Sequence, residues 1–363
     1  MINYKKLAGE DIANLVAYQP GKPIDELKRE YGLTEIIKLA SNENPFGPSP
    51  KVIEAIKGSL DNISRYPLVD AYDIRMAVAQ KYGVEPDNLI FGSGSNEIIE
   101  LLLRTYVKPG EFVASPAPSF SVYGIIAQAM QTRCAWMPTK TNFHIDLDCL
   151  LDSVTEKTRV LFLANPNNHT GTYIPEHELR SFIAPIPENT IIVMDAAYVE
   201  FADAKDMPDT THWFKDYPNM VMMRTFSKAY GLAGLRIGYM IGDKTCCSMM
   251  DRVRQPFNTN MLAQVAAVAA LKDEEYLQSV LQRNLEGKQY LYNKFTELDL
   301  DYIPSQSNFI LVNVGDGKKV FDGLLAKGVI ARYMGPALGE YIRITIGTPQ
   351  ENETFINALK AVL

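Results

Sequence analysis

Between about residue 50 and residue 255, short apolar runs alternate with stretches whose apolar residues recur at helical spacing, and this alternation leaves few architectures open. The runs are LIFG from 89, EFVAS from 111, CAWMP from 134, RVLFLA from 159, TIIVMD from 190, NMVMMRTF from 219 and LRIGYMIG from 235. Short, nearly continuous apolar strands are those buried on both faces, as in a parallel sheet covered by helices on each side. The segments between them supply the helices. SNEIIELLLRTYV carries Ser and Asn ahead of an i, i+3, i+4 apolar pattern, and PEHELRSFI opens on a proline, tolerated in the first helical turn. The pattern predicts an α/β domain with an open sheet of seven strands, mostly parallel, flanked by helices.

With 363 residues, 47% of them hydrophobic, the chain can bury one large core and a smaller one. After residue 258 the texture changes to long helical stretches, NMLAQVAAVAALK and DEEYLQSVLQRNLEGKQYLYNKFTEL, with no glycine or proline until Gly287. The remainder reads as a strand (SNFILVNV), a helix (KKVFDGLLAKG), two strands (GVIARYM and EYIRITIG) and a closing helix (ENETFINALKAVL), a compact α+β unit. The expected organisation is an arm over 1–35, packed on the small domain or a partner subunit, a large domain over 36–258 and a small domain over 259–363. No internal repeat or low-complexity tract interrupts it.

The net charge of −7 and the lack of a basic block give no electrostatic reason to expect nucleic acid or a membrane surface as partner. No apolar stretch approaches the roughly 20 residues of a membrane span, and MINYKKLAGEDI lacks the apolar core of a secretory signal, so a cytoplasmic location is expected. Cys134, Cys149, Cys246 and Cys247 form no CxxC pair, and His144, His169, His177 and His212 show no ligand spacing. Neither a metal site nor a disulfide framework is expected.

Four polar constellations fall at or just beyond the carboxyl ends of these strands, where open α/β sheets bind ligands. GSGSNE, residues 92–97, is a glycine- and serine-rich turn opening a helix, whose free N–H groups and positive dipole end suit a phosphate; it lacks the third glycine of GxGxxG and could equally be a tight turn with a cap. Asp195 ends IIVMD, and a structural carboxylate capping the next turn is the competing reading. ANPNNHTG, residues 164–171, is a polar turn. TFSKAYGLAGLRIGY, from 225, sets Ser227 and Arg236 either side of Lys228, in a chain where most of the 36 Lys and Arg side chains are solvated charges.

One cofactor uses a lysine amine, a carboxylate and a phosphate seat together. Pyridoxal phosphate needs a lysine for its Schiff base, an acid to keep the pyridine nitrogen protonated, and donors for its phosphate.

On the segments YQPGKPIDEL, LASNENPFGPSP, RYP, GSGSNE, SPAPSFSVY, NPNNHTG, MDAAYVEF, TFSKAYGLAGLRIGY and YIRITIGT, the chain resembles the fold-type I, class I/II aminotransferases over nearly its full length, and within them the histidinol-phosphate aminotransferases. The resemblance implies the PLP-dependent transferase fold of type I, with pyridoxal 5'-phosphate as cofactor. It also implies a homodimer with shared active sites, and histidinol phosphate with 2-oxoglutarate and glutamate as the small-molecule partners. Lys228 would carry the cofactor and shuttle the proton, Asp195 would pair the pyridinium nitrogen, and Tyr198 and Asn168 would hydrogen-bond the phenolic oxygen. Phe120 would stack on the ring. Gly94, Ser95, Asn96, Ser227 and Arg236 would hold the phosphate, joined by Tyr66 from the other subunit. Arg343 and Arg332 would bind the substrate's anionic group, with Tyr18 and Asn42 closing over the pocket; for Arg332 a structural salt bridge is the competing reading.

The sequence departs from this family at Ala196, where a glutamate is usual, and at His169, where a proline usually follows Asn168 and the bond is often cis. A cis Asn168–His169 bond would cost about 3 kcal/mol. An aromatic amino-acid aminotransferase and an amino-acid phosphate decarboxylase share the cofactor motifs and stay open. The missing GxGxxG counts against a nicotinamide-dependent oxidoreductase, and the lack of an N-terminal DNA-binding domain against a cofactor-sensing regulator.

Overall fold

The computed structural model describes residues 2–19 and 21–363, so Pro20 of the YQPGKP segment lies outside the described residues. Its strands are β1 (Ile37–Lys38), β2 (Leu89–Gly92), β3 (Phe112–Ala117), β4 (Cys134–Pro138), β5 (Thr158–Ala164), β6 (Ile191–Asp195), β7 (Met220–Thr225) and β8 (Gly238–Ile241). Then come β9 (Tyr302–Ile303), β10 (Phe309–Asn313), β11 (Val329–Ile330), β12 (Arg332–Tyr333) and β13 (Tyr341–Thr345).

Seven strands form the large sheet in the order β2-β8-β7-β6-β5-β3-β4. All neighbours are parallel except those of β8, which runs antiparallel to both β2 and β7. Successive side chains of a strand point to opposite faces, and the central strands feed two cores accordingly. Val160, Phe162, Val193, Val221 and Met223 pack with Ile98, Leu102 and Tyr123 on one face. Leu161, Leu163, Ile192, Met194 and Met220 pack with Leu179 and Phe182 on the other. Burial on both faces is why these strands read as continuous apolar runs rather than as an alternation.

The last run, LRIGYMIG, is strand only from Gly238. Its first residues belong to a single 3-10 turn, Ala233–Leu235, followed by Arg236 at φ +58°, a left-handed conformation that breaks the strand geometry.

The C-terminal unit is an antiparallel sheet in the order β12-β13-β10-β9, with Ile310, Val312, Ile342 and Ile344 packed against Phe295 and Phe355 from its helices. GVIARYM, expected as one strand, splits at Ala331: β11 pairs in parallel with β1, whereas β12 joins β13. Residues 37–38 therefore pair with the C-terminal unit, and Leu27 of the helix Ile24–Tyr31 packs with Ala40, Leu325 and Ile330. In the opposite direction, the helix Met261–Leu271, capped by the Asn260 side chain, packs on the helices Pro50–Lys57 and Tyr72–Tyr82 of the large unit. No helix among the described residues is long and apolar enough to cross a membrane.

Candidate active site

The carboxyl ends of β5, β6 and β7, at Ala164, Asp195 and Thr225, line a cavity of about 500 Å³. Its far wall comes from Ser41, Asn42 and Glu43, which follow β1, and from Arg332 and Arg343 on β12 and β13. Chain crossing between the two units puts these side chains there: Thr345 donates its N–H to Leu39 O at 2.8 Å, and its hydroxyl accepts from Asn42 N at 2.9 Å.

Lys228 lies three residues past the end of β7, partly buried. Its Nζ donates to Ser41 O at 3.0 Å and sits 5.6 Å from the centre of the Tyr198 ring. Burial lowers its pKa to about 8, helped by the charge of Arg343 and opposed by Glu43. The amine therefore has a substantial neutral fraction near physiological pH, as a nucleophile or base requires.

Asp195, buried at the end of β6, accepts from Tyr123 Oη at 2.6 Å and from Ala197 N at 3.2 Å. Burial raises its pKa to about 6, while Tyr123, Ala197 and the Lys228 charge pull it back. Tyr123 is held by stacking on Phe162, ring centres 4.3 Å apart, and lies edge-on to Phe120 at 5.4 Å. Sequence reasoning assigned Tyr123 no role. Its only local signal was its position in SPAPSFSVY, three residues after Phe120, on the sheet-facing side of the helix Val122–Ala129.

Tyr198 Oη accepts from Asn42 Nδ2 at 3.0 Å, and burial pushes the phenol up to about 12. Arg343 is buried, with Nη1 donating to Asn168 Oδ1 at 2.7 Å, Nη2 donating to Ala40 O at 3.0 Å and Nε unpartnered; burial lowers its pKa to about 10, and the Arg332 charge adds to this. Arg332 is its register partner across the β12–β13 pair and donates from Nη2 to Gln19 O at 2.7 Å, so it binds backbone rather than a salt-bridge carboxylate. Tyr18 and His169 also line the cavity, and burial with the charges of Arg343 and Arg332 lowers His169 to about 3.

The remaining wall is a cradle of donors. Ser95 and Asn96 open the helix Ser95–Tyr106, whose N-terminus has no side-chain cap and presents unpaired N–H groups. Gly94 precedes them at φ +76°, and a Cβ there would overlap the Arg236 guanidinium, so only glycine lets that side chain lie over the helix N-terminus. Arg236 donates to Ala233 O at 3.0 Å, and Ser227 lines the same end of the cavity. Free helix N–H groups, a hydroxyl and a guanidinium are the donor set that suits a phosphate dianion.

Of the residues anticipated from sequence, Tyr66 alone stands apart: it is 82% exposed and stacks on Phe257 at 4.6 Å, outside this cavity. The Asn168–His169 bond is not cis. Among the described residues the cis bonds are Ala117–Pro118 and Asn165–Pro166, and the turn between them is held by Asn167, which donates to Pro118 O at 2.9 Å and accepts from Ser119 Oγ at 2.9 Å. Glu43, Ser121 and Thr225 line the cavity without having been anticipated.

Residues 34–359 match the family model for aminotransferase class I and II. The chain is 46% identical over 365 residues to a histidinol-phosphate aminotransferase of Akkermansia muciniphila, covering 100% of each. It is 44% identical over 358 residues to that of Moorella thermoacetica, covering 98% of this chain and 92% of the relative. The crystal structure of histidinol-phosphate aminotransferase from Sinorhizobium meliloti in complex with pyridoxal-5'-phosphate is similar with a TM-score of 0.89 at 28% identity, covering 97% of this chain and 96% of the other.

Proposed function

Since the chain belongs to the class I and II aminotransferase family, we propose that it transfers the amino group of L-histidinol phosphate to 2-oxoglutarate, forming imidazole-acetol phosphate and glutamate, with pyridoxal 5'-phosphate as cofactor. The observation that carries this reading is the opposition of Arg332 and Arg343 across β12 and β13 on the cavity that also holds Lys228 and Asp195. Two guanidinium groups exceed the need of one carboxylate and suit a phosphate dianion.

When bound, pyridoxal phosphate supplies an electron sink for the carbanion at the substrate's α-carbon. Lys228 would be the attachment point and, through Nζ, the group to remove and return the α-carbon proton; its lowered pKa fits it for both directions. Asp195, held by Tyr123 and Ala197, would accept the ring N–H. Tyr198 and Asn168 would meet the phenolic oxygen, with Asn42 and Arg343 orienting them, and Phe120 would cover the ring. Gly94, Ser95, Asn96, Ser227 and Arg236 would hold the cofactor phosphate. Tyr18 and Asn42 would close over the substrate side of the cavity.

We read the protein as a cytoplasmic homodimer. The support is the apolar surface around Tyr66, where Leu60, Ile63, Leu68 and Val69 are also exposed, since contiguous apolar surface of this kind marks interaction sites. Tyr66 would then serve the neighbouring subunit's cofactor. The division into 1–35, 36–258 and 259–363 is retained as the working one, with residues 37–38 and the helix Met261–Leu271 each packed on the other unit.

Single-turnover half-reactions with histidinol phosphate, phenylalanine, tyrosine and threonine phosphate test the reading. Histidinol phosphate should react fastest, Lys228→Ala should abolish turnover without unfolding, and Asp195→Asn should be severely impaired. Faster amino transfer from phenylalanine or tyrosine would move the assignment to an aromatic aminotransferase.

A further inference from the structure

His169 lines the same cavity as Arg332 and Arg343, in a turn that leaves its backbone little freedom. Asn167 N donates to Thr172 O at 2.7 Å, Gly171 N donates to Asn167 O at 2.7 Å, and Gln306 N from the C-terminal unit donates to Gly171 O at 2.8 Å. The imidazole lines the cavity, and no hydrogen bond to its ring occurs among the described residues. A polar ring held in a cavity wall by a braced turn, with no protein partner, is a group available to a ligand.

The neighbouring donors leave work for it. Arg343 commits one N–H of Nη1 to Asn168 and one of Nη2 to Ala40, with its Nε buried and unpartnered, and Arg332 commits one N–H of Nη2 to Gln19. A phosphate dianion offers three oxygens with several acceptor positions, which leaves room for a donor from a third direction beside the two guanidinium groups. Its charge, by contrast, is already balanced by the two guanidinium groups, so a further donor is best uncharged. The charged groups lining the cavity are Glu43, Asp195, Lys228, Arg236, Arg332 and Arg343, and Arg343 and Arg332 are the ones that act against an imidazolium at 169.

We propose that His169 is a third contact of the substrate-anion subsite, donating one N–H as a neutral imidazole to the substrate phosphate and so favouring phosphate over carboxylate substrates. It rests on the reading of Arg332 and Arg343 as the phosphate-binding pair. No proton changes hands: the ring keeps its single N–H, and the bond replaces one to water. A carboxylate, with two oxygens and one charge, is served by the arginines without it.

The chain has four histidines, so selective labelling resolves them and His169→Gln assigns the resonance. The measurement is nitrogen-15 NMR of the holoenzyme between pH 6 and 8, titrated with inorganic phosphate and, separately, with acetate. A neutral-tautomer pattern retained throughout, with its N–H nitrogen shifted by phosphate and unmoved by acetate, is the expected result. An unmoved resonance at saturating phosphate, or conversion to the two-N–H imidazolium pattern, overturns the proposal.

Kinetics give a second reading. His169→Ala should lower kcat/KM for histidinol phosphate roughly tenfold or more, mainly through KM, the size of one hydrogen bond to a charged group. The glutamate half-reaction should change less than about twofold, and equal losses on both substrates would overturn the proposal. If the wild-type enzyme does not turn over histidinol phosphate, the functional reading fails, and the phosphate titration still decides the role of His169.

Discussion

Arg332 and Arg343 stand opposite each other in register on β12 and β13, yet they are tied to different parts of the chain: Arg343 to Asn168 and Ala40, Arg332 to Gln19 in the N-terminal arm. The two should therefore fail differently. Arg332→Ala should lower kcat/KM for histidinol phosphate by roughly one to two orders of magnitude, the loss of one charge-assisted bond. The glutamate half-reaction should suffer less. Arg343→Ala should damage both half-reactions, because it also releases Asn168. Equal losses from Arg332→Ala on both substrates would instead mark it as scaffold.

The Tyr123 hydroxyl is the closest donor to Asp195, and it holds the carboxyl below the value that burial alone would set. Tyr123→Phe should raise the Asp195 pKa further above about 6, leaving less carboxylate to pair a ring nitrogen at low pH. The rate should fall by roughly tenfold at pH 6 and by less at pH 8. A pH–rate profile superimposable on that of the wild type would remove Tyr123 from the site.

Gly94→Ala forces a non-glycine residue into φ +76°, ψ 169° and drives a Cβ into the Arg236 guanidinium. The backbone strain alone should cost on the order of 1–3 kcal/mol. Thermal unfolding should show the loss, and dialysis should release the cofactor faster than from the wild type. Unchanged retention would mean that Arg236 does not hold the phosphate.

Lys228 has a folded-state pKa of about 8 against an ordinary 10.5. Between those values the unfolded chain binds the proton and the folded one does not, so apoprotein stability should rise with pH through that window. Below it, holding the buried cation is a fixed cost. Apo Lys228→Met should accordingly be more stable than wild type at pH 7 by on the order of 1–3 kcal/mol, with the gap closing by pH 10. Denaturant unfolding at both pH values measures it, and a pH-independent gap would contradict the assigned burial cost.

If Tyr66 serves the neighbouring subunit, mixing Lys228→Ala and Tyr66→Phe protomers should yield heterodimers with one intact site. Activity should return on subunit exchange, towards that of one site per dimer. Confirmed exchange without recovery would confine each site to one chain.

Local pattern alone determined the covered sheet and the strand ends beside which GSGSNE, Asp195 and Lys228 fall. Val160 to Leu163 and Ile192 to Met194 are apolar on both faces, which only a covered parallel sheet accommodates. GSGSNE, Asp195 and Lys228 sit within a few residues of strand termini, so their convergence follows from strand geometry. The tertiary structure decided what each of these groups touches. Tyr123 and Asp195 are 72 residues apart, Asn42 and Tyr198 are 156 apart, and Arg343 and Asn168 are 175 apart. The division of GVIARYM between two sheets was settled by neighbours distant in the chain. A periodicity records which face of an element is buried; it carries no information about which distant side chain meets that face, because that depends on how the elements pack in three dimensions.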